Sequence, residues 1–344
     1  MIMRQMHIYA ALVMMLLCGC SKEIPVEDIS YEESDCAIKV VPVMDSEKAA
    51  TRASLYNNES DLRGDYLYTY AYREGTSLLY FGSGVKFSTE DVDISNHRWL
   101  FYGDGGYKKF YWPLEGALDF FAYAPSNNGY VQVNPAANPP QFTADMPLTN
   151  TGETVHQENM KEFLYSYAPD RDKTGGTVPL AFRHPFAGIV FKGSQSHRDL
   201  TVKSITIDGI KYKGTCSLDS ETGATNWSLT ESAGKLDLNI GKIIPGDVNF
   251  YSELCGPYLV LPQSNDGTEE NKILSVTCHW KGYNPNSDAE SDDTKTLTGK
   301  ISNDWEAGKI YTYTLDLGNS REEILFKVSV APWKYVYNHE FEIE

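Results

Sequence analysis

No stretch of this 344-residue chain sustains an apolar repeat of 3.6 residues, so it has no long amphipathic helix to build with. Short apolar or alternating runs recur instead, about every 10–15 residues, with Gly, Asn, Asp and Pro between them, as strands and turns do. Tyr66, Tyr68, Tyr70 and Tyr72 are spaced by two and fall on one face of such a run. Gly103-Asp104-Gly105-Gly106 separates Trp99–Tyr102 from Tyr107–Trp112, a hairpin signal. Leu118–Tyr123, Ala187–Lys192, Leu200–Ile207, Tyr258–Leu261, Lys272–Trp280, Ile310–Leu317 and Ile324–Ala331 read as further strands. Phe163–Ala168 fits a strand or a helix, Asp208-Gly209 reads as a turn, and 125–140 reads as loop. The expectation is an all-β chain of antiparallel sandwiches. Its length calls for two domains, 53–177 and 178–344, joined at the polar stretch Pro169–Thr177.

The first residues decide the compartment. Met1–Met6 holds one base, Arg4, and no acid, and Ile8–Leu17 is unbroken apolar sequence. That run is about half the ~20 residues a membrane helix needs. A basic start followed by a short apolar core reads as a removable export signal, residues 1–19. Leu17-Cys18-Gly19-Cys20 resembles the bacterial lipobox. The Cys20 thiol would take the lipid, and each buried methylene adds ~0.8 kcal/mol of membrane affinity. Residues 20–52 then form a tether and pro-segment. Ser21–Ser34 is polar and acidic, Ala37–Val43 is strand-like, and the chain turns small and polar around Thr51-Arg52-Ala53.

Thirty bases stand against 47 acids, a formal charge of −17. Such a balance excludes a nucleic-acid partner, which needs a basic surface. Once Cys18 leaves with the signal and Cys20 takes lipid, four cysteines remain: Cys36, Cys216, Cys255 and Cys278. An exported chain is free to form disulfides, but spacing leaves open which would pair, or whether all stay buried thiols.

No catalytic motif is present: no phosphate-binding glycine loop, no His-Glu-x-x-His, no Cys-x-x-Cys, no nucleophile elbow. His97, His156, His184, His197, His279 and His339 lack metal-ligand spacing. The acidic run Asp288–Asp293 lacks the spacing of a calcium loop and reads as solvated. The chain is therefore read as no enzyme, with no catalytic residue, no cofactor and no metal.

Six segments together resemble the fimbrillin family of Bacteroides-type bacteria. They are Thr51-Arg52-Ala53; Phe110-Tyr111-Trp112-Pro113 followed by Leu118–Pro125; Val178–His184; Leu259–Gln263; Trp305–Tyr311; and Val328–Trp333. The resemblance implies two transthyretin-like sandwich domains, a lipid on Cys20 holding the precursor at the outer membrane, and cleavage between Arg52 and Ala53 by an arginine-specific protease. It further implies polymerisation with other fimbrial subunits by strand donation, giving an extracellular fimbrium that meets host or bacterial surface ligands. Ile38–Val43 has the length and apolar content of a removable placeholder strand. In 333–344 the positions Trp333, Tyr335, Tyr337, Phe341 and Ile343 alternate with mostly polar residues, as a donor strand would. The alternatives are that this segment is the last strand of its own domain, and that the chain is a monomeric surface lipoprotein binding glycan through exposed aromatics. Replacing Cys20 with Ala should abolish incorporation of labelled palmitate; incorporation at the unmodified chain's level would remove the anchor assignment.

Overall fold

The computed structural model describes residues 36–44, 62–88, 99–148, 160–193, 200–230, 233–244, 252–264, 272–280, 293–317 and 324–333. Among them run twenty strands. The first ten are β1 (Val40–Met44), β2 (Leu67–Arg73), β3 (Leu79–Phe87), β4 (Trp99–Gly103), β5 (Gly106–Lys108), β6 (Leu118–Ala124), β7 (Val131–Asn134), β8 (Gln141–Asp145), β9 (Leu164–Arg171) and β10 (Val178–Phe182). The others are β11 (Ala187–Gly193), β12 (Leu200–Lys211), β13 (Lys213–Leu218), β14 (Thr225–Leu229), β15 (Ala233–Ile244), β16 (Ser252–Val260), β17 (Lys272–Trp280), β18 (Asp293–Ile301), β19 (Lys309–Asp316) and β20 (Leu325–Pro332). The all-β expectation holds.

The strands form a six-stranded antiparallel sheet, β5-β4-β3-β2-β6-β9, and three four-stranded sheets, β14-β13-β8-β7, β15-β12-β17-β18 and β16-β11-β19-β20. Two pairings are parallel, β1 with β10 and β11 with β19. Alternation sorts strands such as β2. In β2, Leu67, Thr69 and Ala71 are fully buried while Tyr68 and Tyr70 are half-buried on the other face. One apolar cluster joins this inner face, through Val85, Phe101 and Phe120, to Val40 and Met44 of β1 and to Val178, Leu180 and Phe182 of β10. A second joins β12 and β17 to β11 and β19 through Val202, Val276, Phe191 and Tyr313, and extends to Phe142 and Phe163. Residues Ile38–Glu344 form one compact unit; of the other, Met1–Ala37, only Cys36 and Ala37 are described. Ladders link strands on either side of Pro169–Thr177: β8 pairs with β13, and β1 with β10.

Local turn chemistry read correctly at Asp104-Gly105, where β4 and β5 form a hairpin with Gly105 at φ 95°. Asp208-Gly209 differs from expectation. β12 continues through it, and Gly209 at φ 80° makes a bulge where the register against β15 shifts. Only glycine enters that region at no steric cost, so one residue served a bulge as well as it would have served a turn. The 125–140 stretch is not all loop, since it contains β7, which pairs with β8. Phe163–Ala168 resolves as strand β9. Beside these strands the buried Asp119 carboxylate accepts from the Gly75 N–H at 2.9 Å, the Asp170 N–H at 2.8 Å and the Asn138 amide at 2.6 Å. One side chain of β6 thereby ties the β2–β3 turn, the β7–β8 turn and the end of β9 together.

Cys36, Cys216, Cys255 and Cys278 are all free thiols. Burial pushes the Cys216, Cys255 and Cys278 thiols up to about 12. The thiolate is the reacting form. Near pH 8 these three groups hold it at roughly one part in ten thousand, and reaction speeds up only as pH rises toward 12. Iodoacetamide near pH 8 should therefore label exposed Cys36 in the folded chain, and label the other three only after denaturation. Peptide mapping that finds all four labelled alike in the folded chain would contradict this burial.

Candidate functional site: a seated strand and a C-terminal cleft

The sequence Ile38-Lys39-Val40-Val41-Pro42-Val43-Met44 alternates, and the structure uses that alternation. Ile38, Val40, Pro42 and Met44 are buried, whereas Lys39, Val41 and Val43 are partly or well exposed. The buried set lies along β10 in parallel register, Val40 opposite Val178, Pro42 opposite Leu180 and Met44 opposite Phe182. The strand is fixed at its start by two backbone bonds, Ile38 N–H to the Phe110 carbonyl at 2.7 Å and Val178 N–H to the Lys39 carbonyl at 2.8 Å. Each buried aliphatic side chain contributes ~1.5–3 kcal/mol. β10 is its sole ladder partner among the described strands. Proline suits such a strand, because a strand paired on one side tolerates a missing donor. The seat is apolar, five residues long and near the start of the chain, with no titratable group on its inward face.

Beyond β10 the chain enters a cleft of about 1010 Å3. Arg183 and Tyr165 exchange backbone hydrogen bonds at 2.8 and 3.1 Å, carrying the chain to His184. Buried Glu162 holds the His184 ring through Nδ1, and the Trp333 indole stacks on that ring at 4.5 Å and 12°. Trp333 N–H donates to the Gly308 carbonyl at 2.6 Å, and Gly308 N–H donates to the Phe186 carbonyl at 2.9 Å. On the facing wall Gln263 and Trp305 exchange two backbone bonds of 2.9 Å. The Gln263 side chain also bonds the Lys211 backbone, and the Trp305 indole donates to the Tyr313 hydroxyl at 2.8 Å. Burial pushes that hydroxyl up to about 12, so it stays protonated and hydrogen-bonded. Four of the six segments quoted above, far apart in sequence, converge here. Among the described residues no group of three His, Cys, Asp or Glu side chains is placed to hold a metal.

The model of the fimbrillin-like family matches residues 51–333. The chain belongs to that family. Among solved structures the fold is similar to a fimbrial protein from Bacteroides vulgatus ATCC 8482, with a TM-score of 0.59 and 14% identity over 87% of this chain and 100% of that one. A putative cell adhesion protein from Bacteroides uniformis ATCC 8492 gives 0.48 and 15% over 87% and 99%. The tip fimbrial protein Mfa3 from Porphyromonas gingivalis, with a C-terminal truncation, gives 0.40 and 10% over 82% and 97%. No curated protein sequence matches the chain. Membership of a fimbrillin-like family points to a structural protein of a surface fimbria and away from catalysis.

For a fimbrillin-like chain the expected sites divide sharply. Cys20, Arg52, Ala53, Tyr335, Tyr337, Phe341 and Ile343 lie outside the described residues. Trp333 lies inside them, 9% exposed and part of the chain's own core. The Glu162–His184–Trp333 arrangement was not anticipated. Its one sequence signal was that His184 and Trp333 each close a family-like segment. Replacing Trp333 with Ala should cost ~3–5 kcal/mol in a denaturation experiment, the usual loss for a packed tryptophan. A loss below ~1 kcal/mol would mean that Trp333 is not an anchor.

Proposed function

We infer that this chain is a fimbrial subunit that leaves the cell as a lipoprotein on Cys20 and is cut after Arg52. On this reading it polymerises by exchanging β1 for a strand from a neighbour. The observation that carries the reading is the seat of β1. A cut after Arg52 severs everything from Cys20 to Arg52, β1 included, so that β1 is then held only by burial and main-chain bonds and can leave. The loss uncovers the row formed by Val178, Leu180 and Phe182 and frees the Val178 N–H. An uncovered apolar groove beside unpaired main chain accepts an extended segment of matching alternation. Tyr335, Tyr337, Phe341 and Ile343 provide such alternation, in the eleven residues after Trp333. Fixing Trp333 in its own subunit while its successors reach a neighbour makes the anchor and the donor two parts of one segment.

The test uses the full chain. Limited trypsin treatment should cut first after Arg52, giving an N-terminus at Ala53. The cut material should then form ladders on SDS gels that resist mild heating, because release requires the whole strand to withdraw. A chain ending at Trp333, cut the same way, should stay folded and form no ladder. Ladders of normal strength from that truncated chain would exclude donation by its C-terminus.

A further inference from the structure

The outer face of the six-stranded sheet carries a feature that strand exchange does not use. Ladder register sets Tyr123 of β6, Tyr68 of β2, Gly84 of β3, Tyr102 of β4 and Tyr107 of β5 side by side. Directly paired residues share a face. This one is opposite the apolar cluster, into which Leu67, Val85 and Phe101 point. Four tyrosines thus stand in one row across five strands, with a single glycine among them. The Tyr68 and Tyr123 rings stack at 5.9 Å and 29°, and Tyr102 meets Tyr107 at 6.5 Å. The glycine has no roof: a Cβ at Gly84 would meet only backbone oxygens, those of Tyr102 at 3.3 Å and Leu67 at 3.9 Å. At Gly82, in the next row, a Cβ would lie 3.0 Å from the Tyr70 ring and 3.3 Å from the Tyr68 hydroxyl, so both rings lean over β3. The result is a notch two strand spacings wide, about 9.5 Å. Its walls are tyrosine rings and its floor is bare backbone. Tyr107 is 38% exposed at the open end, and Tyr123 closes the other against Phe163.

Charge and polarity select the occupant. The row holds no carboxylate and no cation; Lys86, on the same face, lies over the exposed Tyr66 ring at 5.2 Å. A chain of charge −17 repels polyanions. What remains is an uncharged ligand with an apolar face for the rings and hydroxyls for the phenols. Tyrosine is amphipathic in that same sense. A sugar ring has one C–H-rich face and a rim of hydroxyls. We propose that this tyrosine-walled notch is a binding platform for a neutral glycan chain lying across the strands from Tyr107 toward Tyr68.

The test is native gel electrophoresis of the full chain through gels containing a mannan, a mixed-linkage β-glucan or a galactomannan, with hyaluronan as the polyanion control. The unmodified chain should be retarded by at least one neutral polysaccharide and not by hyaluronan. Gly84→Val fills the notch from its floor and leaves every tyrosine in place. It should weaken retardation about tenfold in apparent affinity, as should Tyr102→Ala, while circular dichroism shows an unchanged fold. Should Gly84→Val fail to fold, Tyr68→Ala and Tyr102→Ala decide. Absence of retardation by all three neutral polysaccharides overturns the proposal. So does retardation by hyaluronan alone, or undiminished retardation of the folded variants.

Discussion

The fold depends on a five-residue apolar strand held at the edge of a core it does not own. β1 contributes Val40 and Met44, with Ile38 just before it, to a cluster otherwise built from the six-stranded sheet and β10. It is far in sequence from its ladder partner and is followed by the polar stretch around Arg52. A strand of this kind is stabilised by burial and by main-chain bonds to one neighbour. Neither interaction requires that the strand be covalently attached to the rest of the domain. Apolar burial is non-directional and main-chain bonding is sequence-blind, so a different strand of similar alternation meets the same demands. The physics that seats β1 is therefore also the physics on which the proposed exchange would rest.

The far end of the described chain is built differently. Trp333 is gripped by a stacked His184, a backbone bond to Gly308 and a buried carboxylate behind the histidine. That arrangement is directional and specific where the β1 seat is generic. On the proposed reading the residues after Trp333 reach a neighbour from a fixed origin, which this cleft would supply. Asp119, with three donors on its two oxygens, likewise fixes its neighbours by directed bonds.

Sequence conveyed those parts that depend on neighbours in the chain. Alternation in Leu67–Arg73 gave the strand and grouped its tyrosines on one face, and Gly103–Gly106 gave the β4–β5 hairpin, because both are set within a few residues. β1 was legible as a strand for the same reason. Its partner was not, because a parallel pairing joins distant segments and leaves no local trace. The β7–β8 hairpin was hidden by the Pro and Asn residues around it. Gly209 misled because positive φ serves a bulge and a turn alike. The cleft could be assembled only by folding, since Glu162, His184, Gly308 and Trp333 meet solely through tertiary structure. The tyrosine row was half legible. Tyr66 to Tyr72 declared a face, but the neighbours that make it a notch come from the register of four other strands.

One backbone amide reports on the proposal that β1 is a replaceable cover for β10. Val178 N–H donates to the carbonyl of Lys39, the residue just before β1. Hydrogen exchange at Val178 should be slow in the intact chain, fast in the monomer cut after Arg52 and freed of its leading segment, and slow again once that monomer polymerises. Unchanged protection of Val178 after removal of the leading segment would contradict the account.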